Sequence, residues 1–188
     1  RLQRRVRDLC AQLEAAGAPQ ALHLNLQGGF GRLFGGEMGK ALGALYGLER
    51  AAGARPLLVE DALPPAPENP AAWRELRRYL GFRQMRTRLL AGAGVCRAAD
   101  VAALAAAEAV DGVHLRLAGM AGLDAGIQAV LTAREHGLMV LLSGSNPDTL
   151  AHVALAAQVN GVGVTGERPF AAQIEMQRAA AWLRHTSA

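Results

Sequence analysis

The residues best suited to chemistry stand at the ends of short apolar stretches. From Asp111 to Leu123 the chain reads Asp-Gly-Val-His-Leu-Arg-Leu-Ala-Gly-Met-Ala-Gly-Leu, an apolar strand, a glycine-bearing loop and the start of a helix. Alternate side chains of a strand share a face, so His114 and Arg116 point the same way at the strand's carboxyl end. Parallel α/β folds place their chemistry there. A histidine able to carry a proton, beside a permanent guanidinium charge, suits a carboxylate or phosphate ligand. Equally, both heads suit the satisfaction of neighbouring polar groups. Pro56-Leu-Leu-Val-Glu60-Asp61 ends in two acids, which offer either metal ligands or partners for the abundant arginines. As strand neighbours, these acids face opposite ways.

The elements that must position these groups alternate between helix and strand. Leu2, Val6, Leu9 and Leu13 have helical spacing over residues 1–16, closed by Gly17 and Pro19. Residues 21–26 alternate Leu22, Leu24 and Leu26 with His23 and Asn25, a strand with one polar face. A loop over residues 27–36 follows, then a helix over 37–52. The loop's backbone amides are a candidate anion cradle, although its glycines lack the spacing of a phosphate loop or a dinucleotide fingerprint. Strands are expected at 56–60, 86–90, 111–116, 138–142 and 161–165, and helices at 71–80, 97–109, 123–136, from Pro147 and at 171–183. Nearly continuous apolar strands alternating with helices predict a parallel sheet covered by helices. About six β/α units fit one domain over residues 1–188, whereas a closed barrel needs roughly 250 residues.

Composition narrows the class. Hydrophobic residues make up 51% of the 188 and aromatics 4%, so the core is built from Leu, Val and Ala. No run of about 18 uncharged apolar residues and no signal-peptide pattern occurs, which predicts a cytoplasmic chain without a membrane span. Cys10 and Cys96 suit free thiols. The net charge is +4, with Lys40 the single lysine. Arginines cluster at positions 1, 4, 5 and 7 and again at 74, 77, 78, 83, 86 and 88. Without interleaved aromatics these fit solvated helix faces or an acidic partner better than nucleic acid.

Taken in order, His23-Leu-Asn25-Leu-Gln27-Gly28, Leu58-Val59-Glu60-Asp61, Leu89 to Ala93, and His114-Leu-Arg116 through Gly122 resemble the carboxyl-terminal barrel of methylaspartate ammonia-lyase, in the enolase superfamily. The family's versions of these strand ends are His-x-Asp-x-Tyr-Gly, Ile-Glu-Gly-Pro, Val-Ala-Asp-Glu and Gln-Ile-Lys-Thr-Pro-Asp-Leu-Gly-Gly. His136-Gly137 and Ser143-Gly144-Ser145-Asn146 likewise resemble its His-Gly and Gly-Gly-Thr-Cys. The resemblance spans nearly the whole chain, with no counterpart to the family's amino-terminal capping domain. It implies a parallel β/α barrel of the enolase-superfamily type, incomplete at about six units.

In that family three carboxylates hold magnesium, a lysine takes the proton beside a carboxylate, and ammonia leaves. By position, the resemblance puts the ligands at Asn25, Glu60 and Gly92, the base at Arg116, its polar neighbour at His114 and the substrate-binding threonine at Ser145. Only Glu60 keeps a metal-binding carboxylate, and magnesium binds through hard oxygens. Arginine, with a pKa above about 12, cannot serve as the base. The resulting expectation is a divergent lyase-like protein without cofactor, or with Mg2+ if the site still works. It acts as a non-catalytic subunit or as a module binding a partner or a small carboxylic or amino acid through Arg116, Asn25, Gln27, Ser145 and Asn146. The alternative is a carbon-nitrogen lyase or related enzyme with altered chemistry, using His114 and Arg116 on a small amino diacid. An unclosed sheet also predicts association, with a second copy or with a protein partner that completes the barrel.

Overall fold

The computed structural model describes residues 1–17, 21–144 and the strand at 163–165. Helix α1 (Leu2–Ala15) precedes strand β1 (Leu22–Asn25), and helices α2 (Gly29–Phe34) and α3 (Met38–Ala52) lead to β2 (Leu57–Glu60). Then come α4 (Pro70–Phe82), β3 (Arg88–Ala91), α5 (Ala98–Ala106), β4 (Gly112–Arg116), α6 (Leu123–Glu135), β5 (Met139–Ser143) and β6 (Gly163–Thr165). All the pairings are parallel, and the six strands lie side by side in chain order. From β1 to β5 each strand is joined to the next through helix on one face, the unit from which β/α barrels are made.

Alternation along the strands sorts the side chains into two sets. Leu57 and Val59, Leu89 and Ala91, Val113 and Leu115, and Val140 and Leu142 face the helices and join one buried cluster with Leu45, Leu48, Trp73, Leu76, Val101, Leu104 and Val130. The opposite, concave set is Leu58 and Glu60, Leu90, His114 and Arg116, and Leu141 and Ser143. Leu90 and Leu141 are buried there but lie outside the helix-side cluster. Apart from Arg88 at the start of β3, the polar members lie toward the carboxyl ends.

Local chemistry fixes the connections. Asn69 caps α4 by accepting from the Ala72 amide at 3.2 Å, with Pro70 in the first turn. Asp100 accepts from the Cys96 and Arg97 amides at 3.0 and 3.1 Å and so closes the start of α5. Trp73, fully buried, donates from Nε1 to the Pro64 carbonyl at 2.8 Å and ties the proline-rich loop to α4.

The stretch 27–36, read from sequence as a loop, contains α2 between left-handed glycines at Gly28 and Gly35. Its burial of Phe30 against Phe34, ring centroids 5.4 Å apart, explains the helical turn. The amides of Gly28, Gly29 and Phe30 donate to the carbonyls of Asp61, Leu26 and Ala62, so they form no anion cradle. The second arginine cluster is partly paired: Arg77 Nε and Arg88 Nη1 lie 3.0 and 3.5 Å from Asp111 Oδ1. Among the described residues no helix is long and apolar enough to cross a membrane.

Leu45 on α3 is fully buried in the cluster, whereas Leu33 is 71% exposed. Leu45→Ala should lower unfolding free energy by roughly 2–5 kcal/mol, and Leu33→Ala by no more than about 0.5 kcal/mol, read from urea midpoints by circular dichroism.

Candidate functional site

Glu60 is the last residue of β2, fully buried on the concave face. A carboxylate removed from water needs compensating donors or counter-charges, and four side chains from two other strands supply them. From β1, Asn25 Nδ2 donates to Oε1 at 2.8 Å, and His23 Nε2 lies 2.8 Å from Oε2 as an ion-pair contact without hydrogen-bond alignment. From β4, His114 Nδ1 meets Oε2 at 2.7 Å and Arg116 Nη2 donates to Oε1. Burial on its own pushes the Glu60 carboxyl up. The His114 and His23 contacts and the charges of His114 and Arg116 outweigh it and bring the pKa from 4.5 down to about 2.

The reach from β4 to β2 spans an intervening strand. Neighbouring strands stand about 4.8 Å apart, so these lie roughly 10 Å apart. His114 and Arg116 close that distance by leaning over the end of β3, where the chain passes through Gly92. A Cβ at Gly92 would collide with Glu60 Oε1 and stand 3.2 Å from Arg116 Nη2. The absence of a side chain at this position is what lets the cluster assemble.

Asp61 lies just past β2 with its backbone in the left-handed region at φ 49°, so strand alternation does not set its direction, and it lines the same cavity as Glu60. Its carboxylate accepts from the Gly92 and Ala93 amides at 2.9 and 3.0 Å and lies 3.7 Å from Arg116 Nη2. His114 then extends the cluster outward: its Nε2 is 2.8 Å from Ser143 Oγ at the end of β5. Asn25 also accepts from the Gln27 amide at 2.9 Å, which shapes the turn after β1. A cavity of about 660 Å3 opens over this cluster, lined by His23, Gln27, Arg32, Arg116 and Ser143 among others. A larger one of about 870 Å3 lies at the opposite strand ends, around Arg77, Arg88 and Asp111. There Asp111 is already held by both arginines and by the Leu89 amide.

Of the residues singled out from sequence, His114, Arg116, Asn25 and Glu60 meet directly, and Gln27 lines the same cavity. Ser145 and Asn146 lie outside the described residues. Sequence reasoning did not single out His23 or Ser143 as site members. His23 shares the polar face of β1 with Asn25, a signal that was legible; Ser143 is placed by the pairing of Arg116 with Ser143, which only the sheet register reveals.

A sequential parallel sheet of six strands, with polar side chains converging toward their carboxyl ends, defines an incomplete α/β barrel of the enolase-superfamily type. The chain belongs to the methylaspartate ammonia-lyase C-terminal family, whose model, "Methylaspartate ammonia-lyase C-terminus", matches residues 1–181. In structure it is similar to Citrobacter amalonaticus methylaspartate ammonia lyase containing (2S,3S)-3-methylaspartic acid, with TM-score 0.82 and 19% identity over 97% of this chain and 49% of that one. A β-methylaspartase from Clostridium tetanomorphum, described as a Mg complex, gives TM-score 0.82 and 17% identity over 98% of this chain and 47% of that one. A mandelate racemase/muconate lactonizing enzyme-like protein from Rubrobacter xylanophilus gives 0.63 and 25% over 86% and 37%. The chain thus spans about half the length of the solved lyases it matches. No curated protein matches it in sequence.

His23, Glu60 and His114 bring ligand atoms within 4.8 Å of one another, a group that could hold a metal ion. Magnesium, named in the Clostridium tetanomorphum complex, binds through hard oxygen ligands, carboxylates above all. Here two of the three candidate ligands are imidazoles, both Glu60 oxygens already face donors or cations, and Gly92 offers no side chain. These residues do not fit magnesium.

Two outcomes follow. Gly92→Ala should destabilise the fold by about 1–3 kcal/mol in urea unfolding, since the added methyl forces Glu60 or Arg116 aside. A carboxyl whose folded pKa lies below its unfolded one stabilises above the unfolded value and loses that contribution as pH falls. Stability should therefore decline between about pH 4.5 and about pH 2, on the order of a few kcal/mol, and Glu60→Gln should flatten that part of the profile.

Proposed function

We propose that this domain no longer carries out magnesium-assisted ammonia elimination and that its cavity binds a small carboxylic or amino acid without metal. The observation that carries this reading is the Arg116 contact with Glu60. A guanidinium stands at the position of the lyase's lysine base, pairs with the surviving carboxylate and occupies the space beside Gly92 where another acid would stand. A permanent cation there holds charge and transfers no proton.

Arg116 serves two acids at once. Its side chain is 43% exposed, so it pairs with Glu60 while still bordering the cavity, and Arg32 brings a second guanidinium to the same lining. Two guanidinium groups suit a ligand with one or two carboxylates, which arginine grips with paired N–H donors. Asn25 and Gln27 are proposed as further binding residues. The domain is proposed as a single unit in the cytoplasm. Among the described residues β1 and β6 are each paired on one side only; since bare sheet edges are normally covered, association with a second copy or a partner chain is proposed too.

A second reading, altered chemistry with His114 as proton carrier, is favoured by the 2.8 Å approach of His114 to Ser143.

Calorimetric titration with a methylaspartate-like diacid should give the same affinity with and without magnesium, and Arg116→Gln should weaken it at least about tenfold, a loss of about 1.4 kcal/mol. No ammonia should be released. Binding that requires magnesium, or ammonia release from 3-methylaspartate, would refute the proposal. Light scattering at micromolar concentration should show more than a monomer.

A further inference from the structure

The geometry points to Ser143 as a nucleophile, with His114 as its base and Glu60 as a positioning residue, acting on an ester of a small dicarboxylic acid. The choice of substrate rests on the carboxylate-binding reading above; the nucleophile does not.

Three groups from three different strands stand in line. Glu60 Oε2 is 2.7 Å from His114 Nδ1, and His114 Nε2 is 2.8 Å from Ser143 Oγ. In the neutral ring, the form that can act as a base, the proton sits on Nδ1, because a carboxylate only accepts, and the Nε2 lone pair is turned to the serine hydroxyl. Carboxylate, imidazole and hydroxyl in this order make the arrangement that activates a serine, and it is recognised by geometry rather than by order in the sequence. Glu60 is held in turn by Asn25 and Arg116, which fixes the imidazole plane. A purely structural cluster would be sealed. Here Ser143 borders the cavity beside His114, at the carboxyl end of its strand, where a substrate can approach.

Arg116 is the register partner of Ser143 on the adjoining strand. It places a permanent positive charge beside the carbonyl oxygen on which negative charge develops, while Arg32, in the same lining, takes the substrate's free carboxylate. Ser143 Oγ attacks the ester carbonyl carbon as its proton passes to His114 Nε2. The tetrahedral intermediate collapses, the bond to the alcohol oxygen breaks, and His114 returns the proton to the departing alcohol. Water then attacks the acyl-serine, giving one proton to His114, and the diacid leaves as that proton returns to Ser143. The sum is ester plus water to acid plus alcohol.

The test is covalent labelling of the full chain with diisopropyl fluorophosphate, followed by intact mass and peptide mapping. A single adduct is expected at Ser143, absent in Ser143→Ala and formed at least about 100-fold more slowly in His114→Gln. Glu60→Gln, checked as folded by circular dichroism, should lower the maximal labelling rate without moving the reagent concentration at half-maximal rate. A change in that concentration alone would remove Glu60 from the positioning role. The 4-nitrophenyl monoester of succinate should be hydrolysed by the wild type and not by Ser143→Ala. No adduct, or one that persists in Ser143→Ala, overturns the nucleophile. Labelling that free succinate does not slow keeps the nucleophile and removes the carboxylate reading. Succinate binding without labelling does the reverse.

Discussion

An ionised carboxylate buried at the end of β2 is the constraint on which the mouth of this sheet depends. Glu60 has no solvent to share its charge with, and charge without compensation in such a place costs several kcal/mol. The compensation comes from β1 and β4, so the strands on either side must hold their register and curl toward one another for His23, Asn25, His114 and Arg116 to reach the same two oxygens. A slip of one residue in either strand would turn those heads to the helix side and leave the carboxylate bare. The helix-side cluster of Leu, Val and Trp73 supplies the bulk of the stabilisation, but it does not choose which residues meet at the mouth; Glu60 does.

Within the same cluster the chain departs from the pattern of the resemblance at two positions. In the resemblance, position 92 carries an acid and position 116 a lysine; here they are Gly92 and Arg116. The two departures are physically coupled. Arg116 needs the space above β3 to reach Glu60, and glycine leaves it. With both in place Glu60 is an internal counter-ion, and His114 carries the contact outward to Ser143.

Much of this was legible in the sequence because the signals were local. Apolar strands alternating with helices gave the parallel sheet in chain order. The helices expected at 71–80 and 97–109 begin in the structure at Pro70 and Ala98. The two-residue period along 112–116 put His114 and Arg116 on one face, but it misplaced Asp61, whose positive φ ends the strand pattern and leaves its carboxylate on the Gly92 and Ala93 amides, near Arg116 and in the same cavity as Glu60. What the sequence did not disclose depends on pairing between distant segments. The helical turn in 29–34 forms because Phe30 finds a buried place beside Phe34, against the glycines' local preference for a loop. Ser143 joins the site only through the register of β4 with β5. The meeting of β4 with β2 across Gly92 depends on the curl of the sheet, which no single strand encodes.

The central claim is that protein donors, rather than a divalent ion, satisfy Glu60. The most direct measurement is a crystal structure grown in excess Mn2+, a divalent ion that accepts the same oxygen ligands as magnesium and scatters anomalously. The account expects no anomalous peak beside Glu60 and the Arg116 guanidinium still against its carboxylate. A peak within bonding distance of Glu60, with Arg116 swung away, would contradict it.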